Sequence, residues 1–461
     1  MNAHLEHDVI VIGGGPAGST AAALLARSEH DVLLLEKARF PREHVGESLL
    51  PFCYRLFEDL GVLDEMKKRF VRKPGVRFVD GRRGITSTTW CFNHVIKDSS
   101  YLSFQVPRAD FDHLLLKNAI RLGVTVREQT KVKDVDIASA SDRVTVRSTD
   151  ESGNEQVHHA RFLIDASGRD AILGSKYGWR TLREELDRTA VWSHWGGVKL
   201  SGGLEEGLSL ILYMGEEQKG WIWVFPLGVD RITAGFVAQN SYIREQRQKL
   251  LGAGSTSWEY DLCIQELTKS PLVDRLLKGA ELKMRMMVNG NYSYEVKNHY
   301  GTNYAMIGDA RGFIDPIFSS GVFLSMKSAY LVSDAVHHQL TTKETENPLM
   351  IKAYEQITGA YNFVHKMIRL FYNPHALTWA EAGADGESHK NHQSAMAAGH
   401  YLLAGDFFEK YKKYNAFFKS LENPKAFRRF KDRVIDREVF QTQCNTKPEE
   451  VFGEVVKELS A

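Results

Sequence analysis

A strand, a glycine turn, a helix and a second strand follow one another between His7 and Glu36. His7 to Ile12 is apolar and β-branched, the pattern of a buried parallel strand. It stops at three glycines, and from Pro16 to Ser28 alanine and leucine dominate, which favours a helix with proline tolerated in its first turn. A second apolar run, Asp31 to Leu35, is closed by Glu36 and Lys37. This order within about 30 residues is a βαβ unit and predicts an α/β fold built on a parallel sheet.

Gly13, Gly15 and Gly18 satisfy the spacing GxGxxG at the joint of strand and helix. Such glycines allow a tight turn, close approach of backbone to a pyrophosphate, and close packing of helix on sheet. The helix start, with Ala17 and Ser19, presents free N–H groups to phosphates. Glu36 stands where an acid accepts hydrogen bonds from a ribose. A dinucleotide is the expected ligand, and no second fingerprint of this kind occurs downstream.

Two later apolar runs also end in small residues and an acid. Ala160 to Asp165 leads into Ala166-Ser167-Gly168-Arg169, and Asn303 to Ile307 leads into Gly308-Asp309-Ala310. Such ends suit the carboxyl edge of a parallel sheet, where ligands bind, and Asp309 is placed to hydrogen-bond ribityl hydroxyls. Arg108 precedes the helical run His113 to Leu122, where it either faces a flavin or pyrophosphate or serves as a capping charge. Residues 70 to 105 and 185 to 285 read as strand-forming and predict an inserted antiparallel sheet on the substrate side. Residues 1 to 340 therefore read as one cofactor-binding unit, and residues 341 to 461 as a helical C-terminal region. Within that region Phe407, Tyr411, Tyr414 and Phe418 form a stripe that reads as core.

Charge is balanced, 59 Lys and Arg against 58 Asp and Glu, which argues against a nucleic-acid partner. No apolar window is long enough to span a membrane and the N-terminus has no signal pattern, so a soluble, cytoplasmic protein is expected. Cys53, Cys91, Cys263 and Cys444 lie far apart without paired spacing. That argues against a zinc site and a disulfide framework, and for a reducing compartment. His389, His392 and Glu387 form a conceivable metal cluster, but Gly383 and Gly386 break the helix that would fix its geometry, so no metal is expected.

The segments GGGPAGS, Arg108 with its following FD, DASGR and GDARGFIDP together resemble the FAD monooxygenase superfamily of the para-hydroxybenzoate hydroxylase type. Three further segments resemble a narrower branch, the FADH2-dependent halogenases of natural-product pathways. Arg42 to Pro51, with His44, Gly46, Glu47 and Ser48, is similar to the strap that runs along the flavin. Gly220 to Pro226, with Trp221, Trp223, Phe225 and Pro226, is similar to the WxWxIP pattern that shields the flavin from the organic substrate, with Phe225 replacing its isoleucine. Asp315 to Val322 resembles the segment beside the flavin ring that binds chloride, which places Ser319, Ser320, Gly321 and Val322 at a halide site and the last three also at the cofactor. Backbone N–H groups opening a helix can hold such an anion without a cationic side chain.

The resemblance implies that reduced FAD, O2 and chloride or bromide yield hypohalous acid, and that a lysine carries the halogen to an electron-rich aromatic ring. Lys73, in Phe70 to Phe78, stands just before Pro74 and Gly75 as the family's lysine does, although Lys67, Lys68 and Arg72 also fit a plain basic helix end. The implied substrate is a phenol or pyrrole, free or tethered to an acyl or peptidyl carrier protein. The implied partner is a separate NAD(P)H flavin reductase. A single-component aromatic hydroxylase and a prenyl reductase of the geranylgeranyl type share parts of the pattern and stand as alternatives.

Overall fold

The computed structural model describes residues 6–81, 86–137, 143–215, 220–290, 293–342, 347–376, 378–384, 395–414, 418, 422 and 444–453. The expected βαβ unit is present as Glu6–Ile12, Pro16–Arg27 and Val32–Leu35. Its first strand pairs in parallel with Val32–Leu35 on one side and with the end of Glu155–Asp165 on the other. Tyr304–Met306 adds in parallel to Leu163–Asp165, so three strand ends, at Ile12, Asp165 and Met306, reach the same edge of the sheet. Val144–Thr149 and Lys131–Asp136 extend the sheet antiparallel.

Two glycines make this edge compact. Gly13 has φ +102° and a Cβ there would lie 2.3 Å from the Ala166 carbonyl oxygen. A Cβ on Gly18 would lie 1.9 Å from the Gly13 oxygen. Only glycine lets helix, turn and neighbouring strand end approach this closely.

The second sheet has eight strands and draws on both stretches read as strand-forming. Its pairings are antiparallel except that Ser209–Tyr213 runs parallel to Gly75–Asp80. Residues 240 to 277 depart from the expectation: they form helices Asn240–Gly252, Trp258–Leu267 and Pro271–Leu277. Their buried residues fall at helical spacing, as Val273, Leu276 and Leu277 do, and they cover the outer face of the sheet with Val191, Trp195 and Phe236. The long helices Gly321–Thr341 and Pro348–Phe371 belong to the main core, where Ile357, Val364 and Ile368 cluster with Val9 and Leu33. Of the stripe read as core, Phe407, Tyr414 and Phe418 are buried in that cluster, and Tyr411, half-buried, packs against it. No helix among the described residues is long and apolar enough to cross a membrane. His389, His392 and Glu387 lie outside the described residues, within which no group of three or more His, Cys, Asp or Glu side chains could hold a metal ion.

The cysteine reading needs correction. Cys91 and Cys444 form a disulfide across 353 residues of sequence, with Cα atoms 5.3 Å apart. Spacing could not reveal it, because the two cysteines meet only in the tertiary fold. The segment Cys444–Gly453 is held further by Asn93, whose side-chain amide donates to the Cys444 carbonyl at 3.1 Å, and by Val451 and Phe452, which bury against Val71. With a disulfide present, cysteine usage no longer argues for a reducing compartment. Protein purified and denatured without reductant should titrate for two thiols, Cys53 and Cys263, and for four after reduction; four before reduction would contradict the pairing.

Candidate functional site

A cavity of about 660 Å³ lies at the edge where the three parallel strands end, and it extends to the second sheet. Gly13, Gly15, Ala17, Glu36 and Lys37 line its first part, as expected from the fingerprint. Glu36 is 5% exposed, and its two carboxylate oxygens accept from the Gly14 and Ala38 N–H groups at 2.6 and 2.7 Å. Lys37 pairs with Asp170 across the opening. Gly18, Ser19 and Gly308 support the turn from behind the lining: the Ser19 hydroxyl donates to the Gly14 carbonyl at 2.8 Å, and Gly308 has φ +58°. Asp309 lines the cavity, and burial lifts its carboxyl to about 6. A glycine cradle that a Cβ would fill, an acid beside it and a second acid farther along fit an adenine dinucleotide in its extended form.

Arg42 and residues 44 to 48 form one wall. Arg108 lines the cavity but spends its guanidinium on anchoring this wall: Nε and Nη2 donate to the two oxygens of buried Asp112 at 2.7 and 2.9 Å, and Nη1 donates to the Val45 carbonyl at 2.6 Å. His44, half-buried beside Arg108, is pulled down to about 3 and is neutral near pH 7. Gly46, with φ +99°, turns the chain toward Glu47 and Ser48.

Glu47 brings in two residues that the sequence reading missed. Its carboxylate accepts a hydrogen bond from His194 Nε2 at 2.6 Å, and Arg231 Nη2 stands 2.9 Å from His194 Nδ1. A guanidinium only donates, so Nδ1 accepts and the imidazole proton sits on Nε2. His194 and Arg231 come from paired strands of the second sheet and its adjoining turn, far from the strap in sequence, and only the tertiary fold brings them to Glu47.

Trp221, Trp223 and Phe225 alternate along the strand Trp221–Pro226 and face the cavity. Pro226 is buried at the end of that strand, outside the lining, while Ile222 and Val224 pack on the opposite side of the sheet. Facing the tryptophans is the turn before the helix Gly321–Thr341. Asp315 caps the short turn Pro316–Phe318, Ser319 has φ +55°, and Ser319, Gly321 and Val322 line the cavity. Ser320 is fully buried, and its hydroxyl has no hydrogen-bond partner among the described residues. A buried hydroxyl in that state points to a polar ligand at the turn.

Lys73 does not line this cavity. It lies behind the strap, 2% exposed, its amine donating to the Leu49 carbonyl at 3.1 Å and standing 5.5 Å from the Phe92 ring centroid. No carboxylate pairs with it among the described residues, and burial pulls the amine down to about 7.

Removing the imidazole leaves the buried Glu47 carboxylate without its donor. His194→Ala should therefore cost about 3 kcal/mol of unfolding free energy in urea, and Glu47→Gln placed on top of it should recover part of the loss. A single-variant effect within about 0.5 kcal/mol would contradict this network.

A family model described as an FAD binding domain matches residues 6–360. The flavin-dependent halogenase armH3 of Armillaria mellea is 32% identical over 371 residues, which take in 77% of this chain and 72% of that protein. A tryptophan 2-halogenase of Chondromyces crocatus is 35% identical over 334 residues, 71% of this chain and 60% of that protein. The solved structure of the myxobacterial chondrochloren halogenase CndH superposes with a TM-score of 0.71 at 29% identity, covering 92% of this chain and 97% of CndH. An FAD cavity walled by strap and tryptophans, on a chain this close to those enzymes, places the protein in the flavin-dependent halogenase family.

Proposed function

We propose that the protein is an FADH2-dependent halogenase that uses O2 and chloride or bromide to halogenate an electron-rich aromatic ring, a phenol or pyrrole, through Lys73. The observation that carries this reading is the Lys73 amine itself: fully buried, without a counter-ion among the described residues, and drawn down to about 7 by desolvation. Burying a lysine in that state is costly for folding, and such a group is a candidate for chemistry at its nitrogen.

Reduced FAD, when bound and met by O2, supplies the oxidising power that turns halide into hypohalous acid. The chain supplies the rest. Backbone N–H groups at Ser320, Gly321 and Val322 hold the halide with the Ser320 hydroxyl free to join them, while the Ser319 N–H is spent on the Pro316 carbonyl at 2.9 Å. Trp221, Trp223 and Phe225 fill the side of the cavity facing the second sheet and keep the aromatic substrate from the flavin. Hypohalous acid passes behind the strap to Lys73. There the neutral amine displaces hydroxide from the halogen, giving a haloamine and water. The ring carbon then takes the halogen from nitrogen, the ring loses a proton, and the amine is restored.

A separate flavin reductase is the proposed source of FADH2, since the cofactor cavity is built on the one fingerprint at Gly13 to Gly18. We place the reaction in the cytoplasm, where that reductase has its nicotinamide donor. The aromatic substrate is either free or tethered to a carrier protein.

Lys73→Ala should still bind FAD and consume O2 with FADH2, yet give no halogenated product when supplied with a flavin reductase, NADH, bromide and a panel of phenols and pyrroles. Halogenation at the wild-type rate would remove Lys73 from the reaction, and products carrying oxygen instead of halogen would favour a hydroxylase. In the wild type the halogenation rate should fall as pH drops through about 7, where the amine takes up its proton; a rate that rises over that interval would show the ammonium to be the working form. Because the buried amine binds its proton more weakly than in the unfolded chain, its cost to folding is full below pH 7 and fades as pH rises toward the ordinary lysine value. Lys73→Met should accordingly unfold at a higher temperature than the wild type at pH 7, with the gain shrinking at pH 10; equal melting at both values would contradict the desolvated amine.

A further inference from the structure

The helix Pro348–Phe371 ends on Tyr372, whose hydroxyl reaches into the cofactor side of the molecule. The Tyr372 hydroxyl donates to Asp315 Oδ2 at 2.8 Å, and its own oxygen accepts the Trp221 indole N–H at 3.1 Å. Asp315 is fully buried, and its other oxygen accepts the Ile317 N–H at 3.1 Å. The Arg188 guanidinium lies 4.5 Å from the centre of the Tyr372 ring. A phenol hydroxyl has a single proton, so donation to Asp315 and acceptance from Trp221 together fix its orientation. Burial and the neighbouring Asp315 push this phenol well above the ordinary tyrosine value, so it remains a donor at any working pH.

What Asp315 holds is the entrance to the turn Ser319–Val322. Its Oδ1 caps Pro316–Phe318, the next residue, Ser319, sits in the left-handed region, and the helix beginning at Gly321 follows. A carboxylate this close to an anion site repels the anion unless donors draw its charge away. Two donors do so here, the Ile317 N–H on one oxygen and the Tyr372 hydroxyl on the other.

We infer that Tyr372 is a positioning residue for the halide: by donating to Asp315 it fixes the turn whose N–H groups hold the anion, and by accepting from Trp221 it holds the shielding tryptophan in register with that turn. The inference rests on the halide reading of Ser319–Val322. It gives the C-terminal helix a part in the reaction without contact to flavin or aromatic substrate.

The test is a bromide titration of the FAD-loaded protein, followed through the flavin absorbance, in the wild type and in Tyr372→Phe. The variant keeps the ring beneath Arg188 and removes only the hydroxyl. The bromide Kd should rise by about fivefold or more, the loss of one hydrogen bond to a charged group, while the FAD Kd and the KM for the aromatic substrate stay within about twofold. An unchanged bromide Kd, or an FAD Kd that rises by the same factor, would overturn the inference, the latter by showing a general structural role. If the wild type shows no saturable bromide binding, the halide turn and the inference fall together. If it binds bromide as described but halogenates nothing, the inference stands and the proposed reaction fails.

Discussion

Three short extended segments hydrogen-bonded side by side set the distance between the flavin cavity and the buried amine of Lys73. Residues 47–49 of the strap pair with 104–106, through Leu49 N to Phe104 O at 2.9 Å and Val106 N to Glu47 O at 2.7 Å. Ser103–Gln105 pairs in turn with Val71–Lys73, Lys73 standing opposite Ser103. One edge of this ribbon, at Glu47 and Ser48, lines the cavity; the other carries Lys73. Because backbone bonds of this kind tolerate little displacement, the separation of cavity and amine is a property of the fold and not of side-chain rotamers.

The contacts around the ribbon hold it in place. Arg108 and Asp112 anchor the strap from the nucleotide side, and His194 with Arg231 anchors Glu47 from the second sheet. Ser48, Ser209 and Gln105 join strap, sheet and ribbon through side-chain hydrogen bonds of 3.0 and 2.7 Å. The C-terminal segment, tied down by Cys91–Cys444, closes over Val71 on the face that Lys73 shares. The consequence is a buried lysine whose amine is weakened as a base, the state that the proposed carrier role requires. Folding bears the cost of that burial.

Local chemistry was legible in the sequence wherever one segment does the work. The glycine turn and Glu36 sit in a run whose residue types name their task, the tryptophan strand and the turn before Gly321 were singled out by resemblance, and each of them meets the cavity. Contacts between distant segments were not legible. Cys91 and Cys444, Glu47 and His194, and Asp315 and Tyr372 become neighbours only after two sheets and the long helices have packed. The strand reading of residues 240 to 277 failed for a related reason: apolar side chains at helical spacing were hidden within a stretch bounded by true strands. Lys73 stood between the two cases, since resemblance singled it out from its basic neighbours but only the fold shows it to be buried.

The most direct measurement looks for the halogen on nitrogen. Wild-type protein given FADH2, O2 and bromide without an aromatic substrate should, after rapid desalting, carry one bromine in place of one hydrogen on the peptide containing Lys73. Adding a phenol should remove that bromine into product. Efficient bromination by a protein that never carries the adduct would contradict the central claim that the buried amine is the halogen carrier.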